Sequence, residues 1–218
     1  MKIRLWIAAV STLAIAGLAW LGLPHSNGDL VAARPVAERP ALALLTSLPL
    51  IFGESFSLER GGSPALTRLE QRYQVVTIPV ADAASLKGQT LLLMAHPRAQ
   101  PAQALVELDR WVRGGGHLLL LSDPKLDWPS ERPLGDPLRP PPMFADTGLL
   151  KHWGLDLSPA GLTSAGTCKV VSDHLVARCR VGQGQVTIIA DADFLNVERH
   201  DDLGLDPLIA ELARLETR

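Results

Sequence analysis

The sequence predicts an α/β domain with a mainly parallel sheet, helices on both of its faces and an added β-hairpin, all preceded by one transmembrane helix. Three observations carry that reading. The segments 41–46, 90–95 and 117–121 are almost wholly apolar, as strands buried on both faces are. Stretches with helical spacing and helix end signals alternate with them. Ahead of everything lies an uncharged apolar run from Leu5 to Leu23.

That run, LWIAAVSTLAIAGLAWLGL, has only Ser11 and Thr12 as polar groups. As a helix it spans roughly 29 Å, close to the roughly 30 Å hydrocarbon core, and it exceeds the apolar stretch of about 7 to 15 residues in a signal peptide. Lys2 and Arg4 precede it. The positive-inside rule then keeps the N-terminus in the cytoplasm and sends the rest across. The expectation is a single-pass protein of the inner (cytoplasmic) membrane, with the membrane as one partner and a periplasmic, extracytoplasmic domain. Cleavage after Ala19, where Gly17 and Ala19 are small, is the rival reading. Residues 1–23 are the expected anchor, 24–40 a flexible linker rich in Pro, Ala and Gly, and 41–218 the domain.

Within the domain, Ala41 to Thr46 reads as the first strand, ended by Ser47 and Pro49. Ser63 as N-cap and Pro64 at the first helical position start a helix to Arg72. Tyr73 to Ile78 and Thr90 to Ala95 are strands. Pro101 to Arg113 is an amphipathic helix with Leu105, Leu108, Trp111 and Val112 on one face, stopped by Gly114 to Gly116. His117 to Leu121 is the next strand. Asp123 to Pro142 holds seven prolines, which exclude a regular helix or a central strand, and a loop of that length is usually functional. A short helix around Thr147 to Trp153 follows, then a hairpin of Cys168 to Val171 with Val176 to Val181. Gln185 to Ala190 is a last strand and Pro207 to Leu215 a closing amphipathic helix.

The 21 Lys and Arg against 23 Asp and Glu give a net charge of -2, scattered rather than blocked, so there is no field for a polyanion and no nucleic-acid partner is expected. The two cysteines are Cys168 and Cys179. A hairpin turning at Asp173 and His174 sets them opposite each other on the apolar face, at a separation a disulfide bridges. In an oxidising compartment that bond is expected.

Candidate chemistry gathers where strands end. His96 stands at a strand's carboxyl end, the place where open parallel sheets hold ligands. Ser122, Asp123, Asp127, Asp191 and Asp193 follow the fourth and last strands. Neighbouring carboxylates of this kind hold a divalent cation, or more commonly cap helices and bind backbone amides in turns; no metal and no cofactor is expected. No G-x-S-x-G or G-x-C-x-G elbow occurs, so a hydrolase would lack its nucleophile. Trp128, Met143, Phe144 and Trp153, in or beside the proline-rich loop, either present a recognition surface or pin the loop to the core.

The segments LALLTSLPLIFGE, LLLMAHPR, LDRWVRGGGHLLLLSDP and GQGQVTIIADADFLN resemble membrane-anchored auxiliary components of ABC transport systems of the gliding-motility type, whose domain is similar to the class I glutamine amidotransferase fold. The likeness covers roughly Ala41 to Asn196. It implies a flavodoxin-like sheet and a role in binding or assembly beside a transporter subunit or envelope protein. Where that fold carries its cysteine nucleophile, this chain reads Leu121, Ser122, Asp123, Pro124, so amidotransferase activity is not expected. The expected function is a non-catalytic, membrane-tethered binding module. Its rivals are an envelope hydrolase using His96 with Asp123 or Asp191, and a solute-sensing domain.

Overall fold

A computed structural model describes residues 31–52, 62–197 and 205–217. Its sheet grows outward from strands with no polar side: β1 (Ala41–Thr46), β3 (Leu91–Ala95), β4 (His117–Leu121) and β9 (Gly184–Ile189) lie side by side and parallel. The register sets Leu92 beside Leu118, and Leu118 beside Val186, so alternate residues of each strand fall on the same face. One face carries Leu92, Met94, Leu118 and Leu120 under α2 (Ala102–Arg113), whose Leu108 and Val112 are fully buried. The other carries Leu93, Leu119 and Leu121 under α1 (Pro64–Glu70) and α4 (Leu205–Glu216). Each central strand thus contributes to two hydrophobic layers at once, which explains its continuous apolar sequence.

Outside this centre the sheet changes character. β2 (Gln74–Thr77) adds parallel to β1 at one edge. At the other, β8 (Val176–Val181) pairs antiparallel with β9, and β7 (Lys169–Val171) antiparallel with β8, giving the order β2-β1-β3-β4-β9-β8-β7. A separate hairpin, β5 (Leu155–Ser158) with β6 (Gly161–Ser164), follows the one-turn helix α3 (Leu149–His152). The expected flavodoxin-like class, mainly parallel behind a transmembrane helix, is therefore corrected. The fold is mixed α/β, a seven-stranded sheet continued on one side by two antiparallel strands, with a second sheet of its own.

The membrane expectations are corrected as well. Among the described residues no helix is long and apolar enough to cross a membrane. The longest, α2 and α4, have 12 residues, about 18 Å of helix against the roughly 30 Å required. The run expected to span, 5–23, lies outside the described residues, as do residues 24–30 of the expected linker. Single-pass anchoring, the membrane partner and the periplasmic address accordingly go no further.

Local chemistry accounts for the ends of the elements. Ser63 Oγ accepts the amide hydrogen of Leu66 at 3.1 Å, with Pro64 behind it, starting α1. Residues 31–34 lie against α1 and α4: Arg68 donates to the Val31 carbonyl at 2.7 Å, Arg72 to that of Ala32 at 3.0 Å, and Arg34 pairs with Glu216 at 2.8 Å. Buried Tyr73 donates its hydroxyl to the same Glu216, and burial first, then that carboxylate, pushes the phenol upward.

Candidate functional site

Four strand ends meet at the carboxyl edge of the parallel strands. After β1, Thr46 Oγ1 donates to the Ala95 carbonyl at 2.9 Å and Ser47 Oγ to the His96 carbonyl. After β3, the chain turns at His96, whose φ of 47° lies in the left-handed region and whose amide still donates to Leu121 at 3.0 Å. His96 is fully buried. Burial holds its imidazole below the ordinary range, against a smaller upward pull from its hydrogen bond to Pro141 and from the Asp123 charge. Its Nδ1 has no partner.

After β4 comes Ser122, also fully buried, its amide bonded to Ile189 at 2.8 Å and its hydroxyl without a partner. Asp123 accepts the Lys125 amide on Oδ1 at 2.7 Å and the Ala192 amide on Oδ2 at 2.9 Å, tying the ends of β4 and β9 together. After β9, Asp191 Oδ1 accepts the Asp193 amide at 2.9 Å, and Asp193 Oδ1 the Asp127 amide at 2.7 Å. Asp123, Asp191 and Asp193 each bring an oxygen within 4.8 Å of the others. Burial pushes the Asp193 carboxyl upward, the Asp127 amide opposes this, and the Asp123, Asp191 and Asp127 charges add to it.

The sequence-derived candidates therefore converge in part. The three acids form one cluster, but four backbone amides occupy their oxygens, those of Lys125 and Asp193 within local turns and those of Ala192 and Asp127 between the segments that follow β4 and β9. Ser122, which follows β4 directly, is closed to solvent.

Over this edge lies the 123–142 loop, fastened rather than loose. His96 Nε2 donates to the Pro141 carbonyl at 3.0 Å; a carbonyl only accepts, so Nε2 carries the hydrogen. Arg98 donates to the carbonyls of Pro137, at 2.6 Å, and Arg139. Arg139 in turn donates to Ser130 at 3.5 Å and to Arg132. The loop closes on itself where Phe144 N donates to Asp123 at 2.7 Å and Leu126 N to Pro142 at 3.0 Å. Outward it presents Leu134, 85% exposed, and Leu138, 58%, with Met143, 59%, at its exit, beside exposed Lys125, Asp127 and Glu131.

Of the four residues left open between recognition and pinning the loop, Met143 alone stands out to solvent. Trp128 packs on the α1 and α4 layer and Phe144 on the α2 layer, both partly buried. Trp153 is a core residue, 7% exposed, its indole donating to Asp109 at 2.8 Å; Leu149, Leu150 and Trp153 share a helical face, a spacing that marks core rather than recognition. Leu134, Leu138 and the clamping Arg98 were missed. The available signal was two leucines in a proline-rich segment with no element to bury them. Cys168 and Cys179 are bonded, with Cα atoms 4.3 Å apart, as the hairpin register requires. A cleft of about 480 Å³ lined by Lys87, Arg110, Trp111 and Gly114 to Gly116 lies at the opposite, amino end of β3 and β4.

No protein-family model and no curated protein sequence matches the chain. Among solved structures, it is similar to an exo-β-1,4-mannosidase from an Opitutaceae bacterium (13% identity, TM-score 0.43, 83% of this chain and 36% of that one). It is similar also to a β-galactosidase from Bacillus circulans sp. alkalophilus (17%, 0.39, 82% and 31%) and to a cytoplasmic protein from Salmonella typhimurium (12%, 0.43, 81% and 98%). The chain spans about a third of the length of the two glycoside hydrolases. Likeness at this level assigns neither fold family nor activity.

Proposed function

We propose that this chain is a non-catalytic binding and assembly module that captures a protein partner through the 123–142 loop and its exit at Met143. One observation carries the reading: a loop fastened by His96 and Arg98 from the end of β3, and by Arg139 within itself, holds Leu134 and Leu138 out in water, with Met143 at its exit. Exposed apolar side chains on a pre-ordered segment lose little conformational entropy on docking, which favours recognition. The groups a reaction would use are closed off beneath it: Ser122 and His96 are fully buried, and the carboxylates bind backbone amides. The resemblance to ABC-transport auxiliaries supports a transporter subunit as the partner.

The test is affinity capture with cross-linking and identification of the captured protein, comparing the native chain with the Leu134→Ser/Leu138→Ser variant. Loss of one identified partner, with thermal unfolding unchanged, supports the proposal; equal capture by both chains ends it.

A hydrolase using His96 with Asp123 or Asp191 is the second reading, favoured by the closeness of the three carboxylates. Purification without chelator followed by metal analysis tests it. Stoichiometric metal lost in Asp191→Ala supports the enzyme, and absence of metal removes its basis.

A further inference from the structure

The edge strand β7 is held in an unusual balance. It has three residues, Lys169 exposed and Val170 and Val171 only partly buried, and it pairs with β8 over three positions. At one end the chain reverses through Ser172, Asp173 and His174, with φ of 56°, 49° and 69°. The amide of Leu175 closes this turn onto the Ser172 carbonyl at 2.9 Å. It is a tight hairpin turn whose two central positions call for positive φ, and Asp173 and His174 fill them where Asn and Gly are usual. Non-glycine residues in that region are strained, and the strain favours opening. At the other end Cys168, immediately before the strand, is bonded to Cys179 inside β8, and its sulfur rests against the Trp153 carbonyl at 3.4 Å. Against the short ladder and the strained turn stand the covalent bond, the burial of Cys168, and two hydrogen bonds that tie His174 to Leu162, its carbonyl accepting the Leu162 amide at 2.7 Å and its ring donating to the Leu162 carbonyl at 3.0 Å.

We propose that the Cys168–Cys179 bond is a redox-operated clasp on β7: oxidised, the strand covers β8; reduced, it leaves and makes β8 the open edge of the sheet. The chemistry is thiol–disulfide exchange with a dithiol reductant. Its thiolate attacks the Cys168 sulfur, on the edge side, and the Cys179 thiolate leaves and takes a proton. The second reductant thiol then displaces Cys168 as its thiol. Two electrons and two protons pass to the protein, and the dithiol becomes a cyclic disulfide. The inner strands do not depend on the clasp, because β9 pairs with β4 and β8 over their full lengths. An uncovered β8 offers a row of backbone donors and acceptors, the grip for a partner's added strand.

Hydrogen exchange of the full chain, followed by mass spectrometry before and after treatment with dithiothreitol, tests the clasp, with alkylation counting the thiols released. Reduction under native conditions is expected to raise exchange at least tenfold in residues 168–175, leave 91–95 and 184–189 protected, and reverse on reoxidation. The Cys168→Ser/Cys179→Ser variant is expected to match the reduced protein. The proposal is overturned if the bond yields only in denaturant, if reduced and oxidised proteins exchange alike, or if reduction unfolds the central strands as well.

Discussion

The Nε2 of His96 stands 3.0 Å from the carbonyl oxygen of Pro141, and through that bond the end of β3 holds the proline-rich loop across the edge of the sheet. His96→Ala removes the bond, leaves a cavity and places alanine at positive φ. A loss of about 2 to 4 kcal/mol is expected in urea unfolding. His96→Asn, which tolerates the left-handed backbone, is expected to lose less.

The same imidazole makes stability depend on pH. Burial lowers the folded-state value of His96, and likewise that of His117, so the unfolded chain takes up these protons first. Stability contributed by the neutral rings is full above the unfolded value of about 6.5 and is lost as pH falls below it toward the folded values. Urea midpoints between about pH 5 and pH 7.5 should therefore rise with pH, less steeply in His96→Asn. A midpoint independent of pH would contradict the burial argument.

Arg98 acts on the loop alone. It is an exposed residue whose side chain reaches two loop carbonyls. Arg98→Ala is expected to change global stability by less than about 1 kcal/mol, as surface substitutions do, while limited proteolysis within residues 130–140 accelerates. Equal cleavage of both proteins would show that the remaining bonds suffice.

Two glycines separate strain from collision. A Cβ on Gly184 would fall on the backbone carbonyls of Val112 and Gly116, which cannot yield, so Gly184→Ala is expected to cost at least about 4 kcal/mol. Gly115, at φ 111°, has open space around it, and Gly115→Ala bears only the backbone penalty of about 1 to 2 kcal/mol. Thermal unfolding of the two variants should rank them in that order.

Ser63→Ala removes the acceptor for the Leu66 amide at the start of α1. About 1 kcal/mol of stability is expected to go with it, and Ser63→Asp to restore most of it. Unfolding curves for the pair distinguish a cap from a spectator serine.

The central strands were legible because burial on both faces leaves a solid run: Ala41 to Thr46 and His117 to Leu121 begin and end where the sequence placed them. The cysteine pair was legible through register, since Val171 opposite Val176 fixes Cys168 opposite Cys179. The hairpin of β5 and β6 was not. Its strands have four residues each, and Asp156 and Thr163 face each other across it with too little length to show a period. The mixed character of the sheet was also hidden, because Gly184 to Ile189 reads the same whether its next neighbour is parallel or antiparallel. At the carboxyl edge the sequence brought Asp123, Asp191 and Asp193 together, but which amides they bind depends on turns with no local signature. Trp153 stayed open between recognition and core for a related reason, as aromatic residues beside a loop serve core and surface alike until the partner, here Asp109, is known.

Glu216 gathers Arg34, Tyr73 and Arg72 at one corner of the fold. Residue 34, close to where the chain approaches β1, and residue 216, at the end of the last helix, are thereby near enough to be spliced. A circular permutant that joins them through a few glycines and opens the chain elsewhere should build the same sheet, so the order in which these strands are written along the chain is separable from the order in which they stand in space.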